Sequence, residues 1–408
     1  MNVLVIGKPK YNVILESESF PKENEKIKVN ERLEISAGPS VYVACMLAKW
    51  GIPVYYAGAV SGDEIGSKIK TEIESFGVDT KFMELDYEHH SSINYVLLNK
   101  ATGSSTEILH DSETYLKKYK YDILPDYIIT DGSDLGASIA ASNNYPKAKM
   151  ILLANKASQE YIDLSKRCSY VCANMNFAEA LTKMQFEFNR NKSLVNLFQK
   201  IKDLNKAEYI LMLREKGVLY TNNRQVKMIP AVTIEKKDDA NSGSSFFATY
   251  CYGILRGLDM DTIAKTSNIA GALALTKIGS LNTIPDKEEV FTTAGVKDEP
   301  VNTQAPSNNN QASTQVNTTQ TLTPETQAPA TNEVQSNNAP VNNNQVNATQ
   351  TLAPETQAPV TNQVQNNENN TAPINNTQPQ NIEASNMPIQ NNEMPKINQE
   401  GLSNNANG

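Results

Sequence analysis

Apolar and polar positions along this chain fall into short blocks whose period keeps changing. Residues 3–6, Val-Leu-Val-Ile, form an unbroken apolar run closed by Gly7, as in a strand buried on both faces. Residues 13–15 extend it, Ser19-Phe-Pro-Lys-Glu-Asn24 reads as a turn, and residues 27–35 alternate like a half-exposed strand. Ala37-Gly38-Pro39-Ser40 then precedes residues 41–50, whose apolar positions recur at helical spacing until Gly51. Residues 54–60 predict another buried strand, and residues 63–76 an amphipathic helix stopped by Gly77. Strand, glycine turn, helix and strand in that order predict βαβ units and a mainly parallel sheet.

Further along, residues 91–99 and 104–109 predict an antiparallel pair around Ala101-Thr-Gly103. Apolar runs at 127–131, 150–154, 170–173 and 209–213 predict more central strands, with helical stretches between them and a helix over 194–205. Residues 217–221 and 225–229 predict a hairpin about Asn222-Asn-Arg. Two packed helices over 246–256 and 262–277 come next, and residues 285–290 close the domain.

Between the hairpin and those helices lies Asp239-Ala-Asn-Ser-Gly-Ser-Ser-Phe-Phe247, a small-residue turn that opens a helix. Ser242, Gly243, Ser244 and Ser245 leave first-turn amides exposed, and with the helix dipole these make an anion site. The same sequence also serves as a plain serine cap on a buried helix. The charge run Glu235-Lys-Lys-Asp-Asp239 reads as a solvated approach to the turn.

Composition divides the 408 residues in two. From residue 298 onward Asn, Gln, Thr, Pro and Ala dominate and aromatic residues are absent, so residues 298–408 are expected to be a disordered tail and residues 1–297 a single domain. Within the tail, residues 315–335 recur almost unchanged as 345–365, and without an apolar face this repeat reads as a duplicated linker. Lys396 against nine tail carboxylates accounts for the whole net charge of −8. The domain is therefore near neutral and gives no reason to expect nucleic-acid binding. No run approaches a membrane span. Cys45, Cys168, Cys172 and Cys251 match no zinc spacing and read as reduced core thiols of a cytoplasmic protein, and no metal site is expected from the three scattered histidines.

Taken in order, three stretches resemble the PfkB/ribokinase family of sugar and nucleoside kinases. Val5-Ile-Gly7, Asn12 and Ser19-Phe-Pro21 resemble its opening strand, substrate-binding Asp position and Phe-Pro turn. Ala37-Gly38-Pro-Ser-Val-Tyr42-Val-Ala44 resembles its first signature, and Gly58-Ala-Val-Ser-Gly-Asp63-Glu-Ile-Gly66 with Phe76-Gly-Val-Asp79 matches the family's next segments closely. The second signature, Asp-Thr-x-Gly-Ala-Gly-Asp-x-Phe, aligns on residues 239–247. The resemblance implies a three-layer α/β fold with helices on both faces of the sheet and a small β-lid from residues 10–35 and 91–109. Ligands are expected outside the carboxyl ends of the strands. It implies phosphoryl transfer from Mg-ATP to a sugar or nucleoside, and, because family lids often pair, a homodimer.

At the positions that do chemistry the sequence departs from the family. The general base falls on Ser245, and no acidic residue lies between Asp239 and Asp259. A hydroxyl does not act as a carboxylate base, and losing that base costs about 10²–10⁴-fold. Ser242 and Ser244 replace glycines around Gly243 in the anion hole, where positive φ is disfavoured for serine. On the sugar side, with Gly38 kept, Asn12 replaces the Asp and Tyr42 an Asn, the tyrosine being large enough to occupy a ribose's space. On the nucleotide side Arg214 stands at the first glycine of a Thr-x-Gly-x-x-Gly pattern and Gly217 at the second. Asn176 and Glu179 fit the family's Asn-x-x-Glu near the phosphates, whereas starting from Asn174 puts Phe177 at the Glu. The departures together lead to an expected degenerate member that binds or scaffolds, with a protein partner through the tail. The alternative is a divergent active kinase.

Overall fold

Alternate residues of β1 (Val3–Ile6) point to opposite sides of the sheet, and both sides are apolar. Val3 and Val5 join one buried cluster, Leu4 and Ile6 a second, and all four are fully buried. A strand of this kind requires helices above and below, and the chain supplies them. The computed structural model describes residues 1–185, 191–300 and the strand 320–322.

After β1 come β2 (Lys10–Ser17), β3 (Glu31–Ala37), α1 (Pro39–Lys49), β4 (Val54–Ala57), β5 (Ala59–Ser61), α2 (Glu64–Ser75), β6 (Glu84–Asp86), β7 (Ile93–Asn99) and β8 (Ser105–His110). The middle of the chain contributes β9 (Tyr127–Thr130), α3 (Leu135–Asn144), β10 (Lys149–Ala154), α4 (Gln159–Ser165), β11 (Tyr170–Asn174), α5 (Met175–Thr182) and α6 (Asn191–Leu204). The last part holds β12 (Glu208–Met212), β13 (Val218–Asn222), β14 (Gln225–Ile229), α7 (Ser242–Arg256), α8 (Met260–Ala274), α9 (Lys287–Ala294) and β15 (Gln320–Leu322).

The central sheet runs β15-β14-β13-β12-β11-β10-β9-β1-β4. Its pairings from β4 to β12 are parallel, and those of β13, β14 and β15 are antiparallel. Residues of α1, α7, α8 and α9 pack with Val3, Val5, Ile129, Ile151, Cys172 and Ile210 on one face. Residues of α3 to α6 pack with Leu4, Ile6, Ile128, Leu152, Val171 and Leu211 on the other. The expected three layers are present. The four cysteines are buried and free.

A second sheet, β3-β2-β7-β8, is the lid, close to the bounds the sequence suggested. Its β7–β8 turn reaches the loop before α7, where the Asp239 amide donates to the Gly103 carbonyl at 3.1 Å. A Cβ added at Gly103, whose φ is +66°, would lie 3.0 Å from the Lys237 carbonyl oxygen.

Three details correct the sequence reading. Residues 54–60 are two strands, β4 and β5, broken at Gly58, where a Cβ would stand 2.6 Å from the Gly7 carbonyl oxygen. Asp298, assigned to the tail by composition, accepts from the Tyr252 hydroxyl at 2.5 Å and pairs with Lys287 at 3.3 Å, so ordered chain passes that boundary. Residues 320–322 of the tail form a strand on β14. The repeat otherwise lies outside the described residues.

Candidate active site

The first turn of α7 begins at Asn241, whose left-handed backbone (φ 63°) is followed by ordinary helical serines. The positive φ expected at the serines is carried by Asn241 instead, a residue type that tolerates it. Its Nδ2 donates to the Gly279 carbonyl at 2.6 Å, fixing the turn. The Ser242 amide donates to Ala240 O at 2.9 Å and the Ser245 amide to Asn241 O at 2.8 Å. The amides of Gly243 and Ser244, between them, have no partner among the described residues. A Cβ added at Gly243 would meet only Met212 Sδ, at 4.0 Å, so the approach to those amides is open. The donor set fits an anion such as a nucleotide phosphate.

Ser245 does not share this exposure. It is fully buried, and its hydroxyl donates to the Ala270 carbonyl of α8 at 2.9 Å. Ser244, partly exposed, is the serine left at the mouth. The base position placed on Ser245 is thus occupied by a side chain committed to helix packing.

Asp238 is 2% exposed, the exception in a charge run whose Glu235, Lys236, Lys237 and Asp239 are exposed as expected. Its carboxylate accepts from the Ala240 amide at 2.9 Å and the Gly279 amide at 3.2 Å. Burial, followed in importance by opposing hydrogen bonds and by the charges of Asp239 and Glu107, raises its pKa. Asp239, by contrast, is ion-paired with Lys236.

On the sugar side Asn12 Oδ1 accepts from Asn94 Nδ2 at 3.3 Å, and Asn94 also donates to Glu107 at 2.9 Å. Gly38 has φ +109° and caps α1, and a Cβ there would lie 3.0 Å from the Lys8 carbonyl oxygen. Tyr42 is 1% exposed, with its hydroxyl 3.2 Å from Thr283 Oγ1. Burial pushes its phenol up to about 12. Lys8 is buried and donates to Ser112 O at 2.5 Å.

One residue near this wall was not singled out by sequence. Asp131, at the end of β9 and 2% exposed, accepts from the Ser40 amide at 2.9 Å and binds Ser133 through its other oxygen. Gly7 permits this contact, since its Cβ would stand 2.7 Å from Asp131 Oδ1. The available signal was its place: an acid directly after a buried run at a strand's carboxyl end.

On the nucleotide side Arg214 is exposed with φ 52°, and Gly217 has φ 99° with its would-be Cβ 2.0 Å from Ile229 O. Both positions have a glycine's backbone, but only Gly217 is sterically closed to other residues. Asn174 ends β11 opposite Met212, caps α5 by accepting from the Phe177 amide at 2.9 Å, and donates to Asn155 O at 2.8 Å. Asn176 is exposed and Glu179 half-buried within α5, so the two do not form the strand end. Of the expected site residues, Ser242, Gly243, Ser244 and Ser245 lie together on the first turn of α7, and Tyr42 of α1 belongs to the same buried cluster as α7. Asn12 and Gly38 lie on β2 and at the start of α1.

A mostly parallel sheet covered on both faces, a β-lid and a helix N-terminus with unpartnered amides agree with the carbohydrate-kinase class that the sequence resembles. The pfkB family carbohydrate kinase model matches residues 1–287, and the chain belongs to that family. It is similar to the ribokinase of Bacillus subtilis, 22% identical over 306 residues that cover 71% of this chain and 98% of that protein. Among solved structures it resembles Arabidopsis thaliana ribokinase complexed with ribose and ATP, at a TM-score of 0.61 and 17% identity, covering 72% of this chain and 99% of that one. The ribokinase from Cryptococcus neoformans in complex with ADP gives a TM-score of 0.60 at 18% identity, with coverage of 72% and 99%. Among the described residues no helix is long and apolar enough to cross a membrane.

Proposed function

We propose that this chain is a carbohydrate-kinase-fold protein that binds ligand but has lost, or nearly lost, phosphoryl transfer. One observation carries the reading: the first turn of α7 offers unpartnered amides, and the helix brings no carboxylate of its own to them, since no acidic residue lies between Asp239 and Asp259. Burial supports moving the base position by one residue. Counting the second signature from the buried Asp238 puts left-handed Asn241 at its first glycine, Gly243 at its second, Ser244 at the base and buried Phe246 at the Phe. In either register the base is a serine. Tyr42, buried and held by Thr283, supports a narrowed acceptor site.

When bound, Mg-ATP would supply the phosphoryl group. The residues that fit it are the amides of Gly243 and Ser244, with Arg214, Gly217 and either Asn174 or the pair Asn176 and Glu179 toward the nucleotide. Asn12, Gly38 and Tyr42 border the place for a sugar or nucleoside. Calorimetric titration of the full chain with Mg-ATP and ADP, beside a coupled assay over sugars and nucleosides, tests the proposal. Nucleotide binding without turnover is the expected result. Turnover abolished by Glu179→Gln would overturn it in favour of a divergent active kinase, the second reading, which the open amides also support. Four buried free thiols favour a cytoplasmic setting, and exposed Tyr95 and Ile108 on the lid are compatible with a homodimer.

A further inference from the structure

Side chains of the lid alternate between its two faces along each strand. Ile14, Ile35, Val96 and Leu98 share the inner face and are buried, whereas Tyr95, one position over on β7, is 40% exposed. Asn12 and Asn94 stand opposite each other on that inner face, and Lys10 shares it two residues before Asn12. Gly38 brings the start of α1 against the same segment, since a Cβ there would lie 3.8 Å from the Lys10 amide nitrogen. Lys10 is half-buried. Its ammonium has no hydrogen bond or ion pair among the described residues, and it acts on Asp111 only through its field. Lys8, by contrast, is engaged by the Ser112 carbonyl and by Asp111 at 3.6 Å.

Asn94 adds an independent observation. It is 6% exposed, and its Nδ2 donates to Asn12 Oδ1 and to Glu107. A carboxylate only accepts, so Glu107 fixes which way the amide points. Asn94 Oδ1 is then left buried with no partner among the described residues. An unpaired buried acceptor costs about 1–3 kcal/mol, which a donor meeting it would return. With the Glu107 charge beside it, the group that suits this end is a neutral hydroxyl.

We propose that the acceptor side takes a hydroxylated anion, a carboxylate or phosphate carried on a short polyol, with Lys10 meeting the charge and Asn94 Oδ1 a hydroxyl. The proposal rests on the reading of Asn12 and Gly38 as the border of the acceptor place. Lys10 and Asn12 stand roughly 7 Å apart along β2, a span that a short polyol chain covers. Asn12 is neutral where a carboxylate would repel such a ligand, so the exchange that weakens the hold on a neutral sugar favours this one. Asn94 Oδ1 is covered while the lid is closed and is met when the hairpin lifts.

Calorimetric titration of the full chain with gluconate, glucose 6-phosphate and glucose, without nucleotide, tests this. One of the two anions should bind about tenfold or more tightly than glucose, and which one does so names the charged group. Lys10→Met should bring that anion down to the level of glucose, and Lys10→Arg should keep most of the difference. Asn94→Ala should weaken the anion and glucose by a similar factor of about three to ten. Equal affinity for all three compounds, no binding of any of them at millimolar concentration, or unchanged anion binding in Lys10→Met would overturn the proposal. Unchanged binding in Asn94→Ala would overturn the hydroxyl contact. A chain that binds Mg-ATP but none of the three compounds fails this proposal and leaves the loss of transfer standing. Phosphorylation of the bound anion does the reverse.

Discussion

The hydroxyl of Tyr42, on α1, lies 3.2 Å from the hydroxyl of Thr283, in the short turn before α9, across more than half of the chain's length. This bond ties the helix that follows Gly38 to the segment behind α7. Tyr42→Phe removes it while keeping the ring, so stability should fall by about 1 kcal/mol in chemical denaturation. The phenol also makes stability pH-dependent. Its folded pKa is about 12, above the ordinary 10, because burial disfavours the ionised form. The stability it contributes is therefore complete below pH 10 and drains as pH rises through about 12. Denaturation of wild type and Tyr42→Phe across that window should show wild type losing more. Parallel curves would refute the assignment.

The two neighbouring serines of α7 should respond oppositely to a carboxylate. Ser244→Asp places a negative charge in a partly exposed first turn, where the helix dipole favours it by about 0.3–1 kcal/mol. Ser245→Asp forces a carboxylate against the Ala270 carbonyl oxygen in a fully buried contact, and a loss of about 3 kcal/mol or more is expected. Urea midpoints measure both. Equal effects would contradict the one-residue shift of the signature.

The loop after β12 offers a second contrast. Arg214 holds a left-handed backbone at a cost of about 1–2 kcal/mol, so Arg214→Gly should leave stability unchanged or raise it slightly. Gly217→Ala should lower it by more than about 2 kcal/mol, because the new Cβ would collide with the Ile229 carbonyl oxygen. Thermal midpoints of the two variants moving together would count against this geometry.

For the phosphate-side asparagines, Asn174→Ala should cost about 1 kcal/mol through loss of the α5 cap, whereas Asn176→Ala should change stability little. Repeating the nucleotide titration on both variants then shows which of them reaches the ligand. Loss of binding in Asn174→Ala alone would favour the strand-end register.

Legibility in the sequence tracked the strength of the local signal. The short apolar runs made β1, β9, β10 and β11 readable, the first two with a glycine soon after, and alternation exposed the lid. The site was harder for a physical reason: Asn241 to Ser245 contains three serines and one glycine, so spacing alone does not distinguish registers, and only burial separates Ser244 from Ser245. Asp238 looked solvated because its neighbours are charged, whereas its partners, the Ala240 and Gly279 amides, are backbone groups that leave no mark in sequence. Asp131 was missed for the same kind of reason, its long-range partner being the backbone amide of Ser40. The strand at 320–322 lay hidden because its polar composition gives no periodicity.

The latch between Gly103 and Asp239 has a consequence in time. If the proposed ligand enters past the lid tip, which is fastened to the loop that leads into α7, its entry waits on the opening of this hydrogen bond. Association should then be paced by that release: the observed rate rises with ligand concentration at first and levels off at the opening rate. Departure meets the same gate, so even a modest affinity would be accompanied by a long residence.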